Sequence, residues 1–577
     1  YKANDEEAFH LYEAGLDGSG LRKITEGPDD DLDPIYLPDG GFAFVTTRGK
    51  TYVRCMPYTR SNVLARCDAD GSHIRFISVN SEPDWHPALL PDGRILFSRW
   101  EYQDKALWRI MSLWTVRPDG TQMEVFWGNQ SVWPDHPTEA RPIPGTAKVI
   151  FTGTAHHDYF AGSIGVIDQR LGLNYPHGLT RITWDVDWPE CGKGPAETLH
   201  DASYHASGRL TAYKSPFPLS EEDFLVSAKA GSGPWKIYLM DTSGNRELIY
   251  EGAFNCWYPI PVRSVVRPPA LPGRSTWPRE TGADDARVDA ARAPGFFFSS
   301  DVLEGLEGVP RERVKRLRII RSDYKTYTSW ARDYRFEGPA VSIVQAESVK
   351  QILGTVPVEK DGSVYFQAPS GVPLHFQLLD EGYRALHTMR SFTGVMPGET
   401  RGCVGCHEGQ QRTPSTSGAL AASRPPSLIT PPSWGNATIG YERLVQPVLD
   451  RHCGKCHQGQ GAGRKALDLT LREGEGLFKE PYVTLIRSGI AGVIQVEGYD
   501  QRAPAAYATY PPLKSLSATS KLIEYASSGR HFEVRVPDGE LQQLIGWVDA
   551  MGPYRGLEEI RSMDDPRCAK APVVARP

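Results

Sequence analysis

The chain has 577 residues, enough for three or four domains, and its 40% hydrophobic and 23% charged residues are a globular composition, not a disordered or fibrous one. With 70 acidic against 64 basic residues the formal net charge is −6, which lacks the basic excess of a nucleic-acid binder. No apolar run approaches the roughly 18 residues of a membrane span. Residues Tyr1 to Glu7 carry neither a basic start nor an apolar stretch, so they do not form a signal peptide; the protein is either cytosolic or has lost a leader.

Residues 1–335 show a degenerate repeat. A turn followed by a strand reads from Asp33-Pro34 to Val45 and recurs from Asp84-Trp85-His86-Pro87 to Phe97, with looser copies near Asp135-His136-Pro137 and His200-Asp201-Ala202. A strand, tight turn and strand spans Leu11–Thr25 around Asp17-Gly18, Leu64–Ile77 around Asp70-Gly71, Leu113–Phe126 around Asp119-Gly120, and Ile237–Tyr250 around Ser243-Gly244. Asp-Gly between alternating apolar residues marks a hairpin. Four short strands per unit of roughly 50–65 residues predict a β-propeller of about five to seven blades, ahead of a flat sandwich. Gly295 to Phe298 is expected to complete the ring, and the Pro-, Arg- and Ala-rich stretch 262–294 reads as a surface excursion. Cys55 and Cys67 flank a hairpin connection and are either bridged or buried thiols. His156-His157-Asp158 reads first as a polar loop and second as a metal or substrate site. Asp29-Asp30-Asp31 with Asp33 reads first as a solvated turn and second as a calcium site.

Residues 336–411 form a predicted small β domain. Its strands Val356–Val358, Ser363–Phe366 and Leu374–Leu378 lead to Cys403-Val404-Gly405-Cys406-His407. Residues 412–437, rich in Pro, Ser, Thr and Ala, read as a linker. Residues 438–577 read as an α-helical cytochrome c-like domain. Tyr441 to Gln446 begins a helix that Pro447 continues, and Leu444, Val445, Val448 and Leu449 form its apolar face before Cys453-Gly454-Lys455-Cys456-His457. Asp538 is expected to cap a last helix with the stripe Leu541, Leu544, Ile545 and Val548, ended by Gly552-Pro553.

Both cysteine motifs are C-x-x-C-H, the attachment signature of c-type haem. Each thiol adds to a vinyl group of the porphyrin, and the adjacent histidine reaches the iron. At this chain's Cys and His frequencies, chance gives about 0.004 matches, so two copies are a strong signal. The gap between Cys406 and Cys453 is too long for a four-cysteine zinc ribbon, and a thioredoxin-like pair needs no following histidine. The expected cofactors are therefore two covalent haems c, while zinc and calcium find no supported site. Covalent attachment places the protein in the periplasm or outside the cell, with its leader removed.

His407 and His457 are the expected proximal iron ligands. For the second haem, His452 adjoins Cys453 and is badly placed to cross the porphyrin, and Met551 lies on the last helix. His531 is the one histidine after the motif in its domain and is the expected distal ligand. For the first haem, His375, His387, Met389 and Met396 are all near enough in sequence and spacing selects none; an open or water-ligated iron is the first expectation and Met389 or His387 as distal ligand the second. Strand alternation puts His387 and Met389 on one face with Thr388 on the other, and Arg390 offers a fork for a propionate.

The segment "DGSVYFQAPSGVPLHFQLLDEG" followed by "MRSF…PGETRGCVGCHE", with "VQPVLDRHCGKCH" and "GRHFEV…LIGWVDAMGPY", resembles the hydrazine synthase alpha chain family, the last two stretches also resembling planctomycete cytochrome modules. The resemblance implies the propeller and two-haem layout. It also implies an active-site haem at the first motif and a bis-histidine electron-transfer haem at the second, with His531 as distal ligand. In that family a tyrosine four residues after the first motif histidine binds iron, and the histidine turns to zinc. Gln411 stands there in this chain, so His407 is expected to stay on the haem.

The leading function is an extracytoplasmic di-haem oxidoreductase, with a small-molecule site at haem 1 and electron transfer through haem 2. A pure electron carrier or structural subunit of a multihaem complex or filament is the alternative. A ligand-binding propeller with sensory haems is a third. The partners expected are a redox protein or further cytochrome subunits in a hetero- or homo-oligomer. Hydrolase and nucleotide-binding motifs are absent.

Overall fold

The computed structural model describes residues 8–54, 58–101, 104–105, 110–155, 160–189, 211–277, 293–329, 339–344, 349–406, 418–496 and 507–563, with the backbone of 568–570. The chain divides into a unit of residues 1–49, 61–290 and 500–508 and a unit of residues 50–60, 291–499 and 509–577.

The first unit is a propeller-like series of small antiparallel sheets. A ribbon of β1 (Tyr12–Glu13) and β2 (Arg22–Lys23) precedes four sheets, each of four strands in chain order. The first sheet holds β3 (Asp31–Tyr36), β4 (Phe42–Thr46), β5 (Val63–Cys67) and β6 (Arg75–Phe76). The second holds β7 (Asp84–Leu89), β8 (Ile95–Trp100), β9 (Met111–Val116) and β10 (Glu124–Trp127). The third holds β11 (His136–Pro142), β12 (Val149–Thr154), β13 (Ser163–Ile167) and β14 (Leu179–Arg181). The fourth holds β15 (Ala212–Pro218), β16 (Asp223–Lys229), β17 (Lys236–Asp241) and β18 (Arg246–Tyr250). The hairpins at Asp17-Gly18, Asp70-Gly71, Asp119-Gly120 and Ser243-Gly244 all form, and Gly71, at φ 86°, takes the left-handed backbone such a turn needs. The His200 stretch lies outside the described residues.

A device that the pattern did not reveal repeats in every sheet. The first strand is interrupted by a bulge at a residue of left-handed backbone: Asp33 (φ 51°), His86 (48°), Glu139 (50°) and Ser215 (52°). A bulge re-aims its side chain. Here it laces neighbouring sheets together. His86 Nδ1 meets Thr138 Oγ1 at 2.7 Å, and Ser215 donates to Glu139 through its N–H (2.6 Å) and its hydroxyl (3.0 Å). Residues 262–277, the described part of the expected surface excursion, do run over the surface without regular secondary structure, and arginines tie them down as a strap. Arg263 Nη2 donates to the Pro218 carbonyl (3.2 Å), Arg117 Nη2 to that of Pro272 (2.6 Å), and Arg267 to that of Pro38.

The second unit contains β19 (Gly295–Ser299), β20 (Arg316–Ser322), β21 (Tyr327–Ser329), β22 (Lys350–Pro357), β23 (Val364–Ala368), β24 (Leu374–Leu379), β25 (Ala385–Thr388) and β26 (Thr400–Cys403). They form the sheets β22–β20–β24–β25 and β23–β19–β26. The strand expected to close the propeller ring, β19, therefore belongs here. It runs antiparallel to β23 and parallel to β26. Its Phe297 is buried, stacks on Phe366 at 5.5 Å and meets Phe376 edge-on at 5.0 Å, so these aromatic partners hold the strand in this core. The described part of the expected linker, 418–437, is likewise not loose. Thr430 bridges Thr355, Ser427 bridges Phe366, and the Leu420 N–H donates to Asp361 Oδ2 at 2.8 Å.

The helices follow: α1 (Gln446–His457), α2 (Ala462–Ala466), α3 (Tyr482–Arg487), α4 (Lys521–Ser527), α5 (Asp538–Asp549) and α6 (Leu557–Ser562), with β27 (Cys568–Lys570) pairing back to β21. A π-helical turn, Tyr441–Val445, runs into α1, and Pro447 is accepted in its first turn. Val448 and Leu449 are buried as expected. In α5, Leu544, Ile545 and Val548 are buried, but Asp538 is the first helical residue; Pro537 holds the cap position, and no side chain caps the helix. Among the described residues no helix is long and apolar enough to cross a membrane.

The β22–β20–β24–β25 sheet divides this unit into two cores. Ile320, Ile352 and Leu379 pack with Val448, Leu544 and Trp547 of the helices. Leu317, Ile319, Val356, Leu374 and Leu378 pack with Phe297 and Phe366.

Candidate functional site

The two cysteine pairs lie against different cores. Cys403 and Cys406 pack on the core shared with β19 and β23, and Cys453 packs on the helical core. One sheet therefore stands between the two motifs.

The first pair sits where β26 ends. Val404 accepts bonds from the hydroxyls of Ser299 (3.3 Å) and Ser300 (3.4 Å), and the Cys406 N–H reaches the Val302 carbonyl at 3.3 Å. A Cβ on Gly405 would lie 2.3 Å from the Glu304 carbonyl oxygen, so the turn admits only glycine. Burial pushes the Cys406 thiol up to about 12 and the Cys453 thiol up to about 11. A dithiol redox catalyst needs a lowered value, which these two thiols do not have. His407 and Gln411 lie outside the described residues.

The pleat separates the sequence candidates near this motif. His387 stands opposite Leu378 on the neighbouring strand, which places it on the face of the core that holds Cys403 and Cys406, and it is buried. Thr388 stands opposite Gln377, which donates to its hydroxyl at 3.2 Å on the other face. His375 pairs with Ile320 on that other face and meets Ser322 Oγ at 2.6 Å. Met389 is half-buried and Met396 buried. The Arg390 guanidinium lies 4.0 Å over the Tyr510 ring.

In the second motif, Cys453, Cys456 and His457 occupy the last turns of α1 at helical spacings of three and four, which brings all three to one side. His457 Nδ1 donates to the Leu467 carbonyl at 2.8 Å, since a carbonyl can only accept. That bond orients the ring and leaves Nε2 with its lone pair. His531, in the turn after α4, faces it with ring centres 5.9 Å apart and planes 17° from parallel. Two imidazoles bound about 2 Å from one metal atom on opposite sides leave their ring centres roughly 6 Å apart. The ring-centre spacing of His457 and His531 thus matches that of two imidazoles on one iron. Tyr525 stacks on His531 at 4.7 Å, and Phe532 meets it edge-on at 5.1 Å. His452 is held elsewhere, its Nε2 2.5 Å from Glu540 Oε2. Met551 is buried in the helical core. The Leu467 carbonyl and the Tyr525 stack leave no signal in sequence, because both depend on how loops fold over the helix.

His156-His157-Asp158, Cys55 and Cys191 lie outside the described residues, as does the side chain of Cys568. Cys67 is buried, and burial with the nearby Asp31 carboxylate pushes its thiol up to about 12. Asp31, offered for calcium, is buried against Arg48 Nη2 at 2.6 Å. Among the described residues no three His, Cys, Asp or Glu side chains converge on a metal position.

A family model for the hydrazine synthase alpha subunit middle domain matches residues 312–408. The curated hydrazine synthase subunit alpha of Kuenenia stuttgartiensis is 23% identical over 373 residues, which cover 58% of this chain and 43% of that protein. The match therefore spans less than half of that relative. The solved structure of Kuenenia stuttgartiensis hydrazine synthase superposes with a TM-score of 0.63 at 16% identity, over 94% of this chain and 85% of that one, which shows a common fold. The chain resembles the alpha chain family of hydrazine synthase.

Proposed function

We propose that the protein is an exported di-haem c-type oxidoreductase. In this reading Cys403, Cys406 and His407 hold haem 1, a small-molecule redox site, and Cys453, Cys456, His457 and His531 hold haem 2, a bis-histidine electron-transfer centre. Haem would supply one-electron chemistry at iron. The chain's own residues orient and enclose it. The Leu467 carbonyl fixes the His457 ring, Tyr525 supports His531, and the half-buried Cys403, Cys406 and Cys453 lie on apolar walls. The observation that carries the reading is the facing His457 and His531 pair beside two cysteines on one helical side. Attachment of such haems takes place outside the cytoplasm, which supports a periplasmic or extracellular location. The structural relative is a synthase and the curated one is named as a subunit, which supports further subunits or a redox protein as partners. Hydrazine synthesis itself is the family's reaction; Gln411 in place of tyrosine separates this chain's first site from that chemistry.

Intact mass tests the reading. Two haems add roughly 1.2 kDa to the bare polypeptide, at about 0.6 kDa each. A bare-chain mass ends it. His531→Ala should convert one low-spin iron to high-spin in the electron paramagnetic resonance spectrum and leave the mass increment in place. An unchanged spectrum assigns the ligand elsewhere, with Met551 the next candidate.

The second reading, a pure electron carrier, is favoured by one observation: buried His387 is on the face of the core that holds Cys403 and Cys406. Carbon monoxide or nitric oxide binding to the reduced protein supports the open iron of the enzyme. Two low-spin irons that ignore both gases, with one turned gas-binding by His387→Ala, establish the carrier.

A further inference from the structure

We propose that the surface around His531 docks a small acidic redox protein, a one-electron carrier that exchanges electrons with haem 2. This rests on the di-haem reading and adds to it the chemistry of the partner. Charge points to it first. Residues 451–472 carry the second motif, and residues 528–535 carry the turn of its facing histidine. Together they hold seven Lys and Arg residues against two carboxylates, Asp468 and Glu533, a net charge of +5. The whole chain carries −6, so this is a basic island on an acidic protein.

The structure brings the two stretches together and leaves much of the charge unpaired. The His457 and His531 rings face each other at 5.9 Å. A Cβ on Gly463 would lie 3.3 Å from that of Cys456, so α2 lies against the motif. The Arg535 guanidinium is seated on Gly529, two residues before His531, where a Cβ would come within 2.7 Å of its Nε. The carboxylates are outnumbered. Asp468 is shared by Arg464 (3.2 Å) and Arg472 (3.1 Å), and Glu540 of α5 is shared by Arg451 and His452. Glu524 of α4 stands one turn after Lys521. That leaves Glu533 against Lys455, Lys465, Arg530 and Arg535. These four are exposed, and their side chains make no hydrogen bond or ion pair among the described residues.

The middle of this surface is aromatic. Phe532 is 82% exposed and meets the His531 ring edge-on at 5.1 Å, and Tyr525, 40% exposed, stacks on that ring at 4.7 Å. The turn that presents Phe532 is strained. The Val534 N–H donates to the His531 carbonyl at 3.0 Å, with Phe532 (φ 50°) and Glu533 (φ 64°) both in the left-handed region. Asn and Gly are the usual residues of such a turn. Here the strain holds a phenyl ring in water beside an expected iron ligand. Cys456, whose thiol would attach the haem, is exposed as well. An apolar centre ringed by cations suits a transient complex, because opposite charge raises the encounter rate and a small apolar contact lets the partners part. Each encounter moves one electron: the carrier loses it as the ferric iron becomes ferrous, or the reverse.

Stopped-flow reduction of the full-length haem-loaded protein by a fully reduced acidic flavodoxin tests this, followed at the absorbance of low-spin haem 2. The flavin hydroquinone gives one electron and becomes the semiquinone. Both proteins are negative overall, so without a basic island added salt would speed their encounter. With it, the second-order rate constant should fall at least about tenfold between about 10 and 300 mM salt. At low salt Arg530→Glu should slow the reaction at least about fivefold and Phe532→Ser at least about threefold, with haem mass and electron paramagnetic resonance spectrum unchanged. Lys360→Glu, the same charge change on the exposed β22–β23 connection, should stay within about twofold. The proposal falls if the wild-type rate is flat or rises with salt, if loaded Arg530→Glu keeps the full rate, or if Lys360→Glu loses as much. Should Arg530→Glu fail to load, Lys465→Glu takes its place under the same criterion. Salt-sensitive self-association in sedimentation that Phe532→Ser abolishes would give the surface to a second copy and overturn the proposal too. A bare-chain mass overturns the di-haem reading and the docking with it; two haems with a salt-insensitive rate overturn the docking alone.

Discussion

Removal of the Asp549 carboxylate is the sharpest stability test of the second unit. Asp549 ends α5, is 1% exposed, and accepts from Arg318 Nη1 (2.7 Å), the Ser517 N–H (3.0 Å) and the Ser517 hydroxyl (2.9 Å). Arg318, on β20, also donates to Gln377 Oε1 and the Tyr383 carbonyl, both at 2.8 Å. The pair joins the sheet that separates the two cysteine motifs to the last helix of the stripe. Burial pushes the Asp549 carboxyl up while the Arg318 charge pulls it back, so the ion pair is a compromise between desolvation and attraction. Asp549→Ala leaves Arg318 buried without its counter-ion, which costs about 3–5 kcal/mol. With a urea m-value of about 3 kcal/mol/M, the unfolding midpoint should fall by roughly 1–1.7 M. A double variant, Arg318→Met with Asp549→Leu, removes both charges and should recover at least half of that loss. Circular dichroism in urea reads the midpoint. A loss below about 1 kcal/mol for Asp549→Ala, or a double variant no better than the single one, would refute the argument.

Two further outcomes can be checked on the same protein. Asp84 is fully buried, bonded to the Leu64 N–H and to Asn80, and burial pushes its carboxyl up from 3.8 to about 6. The folded state thus holds a proton that the unfolded state has released, so this contribution is complete below about pH 4 and is lost as pH rises through 6, roughly 3 kcal/mol in all; urea midpoints from pH 4 to 7 should show that slope in the wild type and lose it in Asp84→Asn, and equal slopes would sink the assignment. Gly405→Ala drives a methyl into the Glu304 carbonyl at the first motif, so mass spectrometry should find a large fraction of chains with one haem instead of two; full loading would show that the turn can yield.

What the chain reveals without a fold is local. Two C-x-x-C-H motifs need no tertiary context, because three reactive atoms within five residues set the chemistry. The Asp-Gly hairpins and the apolar side of α1 are legible for a similar reason: a turn needs a left-handed residue at one place, and a helical face repeats within a few residues. Partner choice is different, since it is decided by side chains far away in the chain. Gly295 to Phe298 reads as a strand that completes the propeller ring, but its place beside β23 and β26 depends on Phe366 and Phe376. The Pro- and Ser-rich stretch after 411 has linker composition, yet backbone bridges to β22 and β23 hold its described part. His531 stood out by elimination, but only the fold brings its ring to 5.9 Å from that of His457. The four bulges and the Arg318 and Asp549 pair left no trace in the pattern. The bulged residues find their partners on the neighbouring sheet, and Arg318 meets Asp549 only after a long stretch of chain has closed.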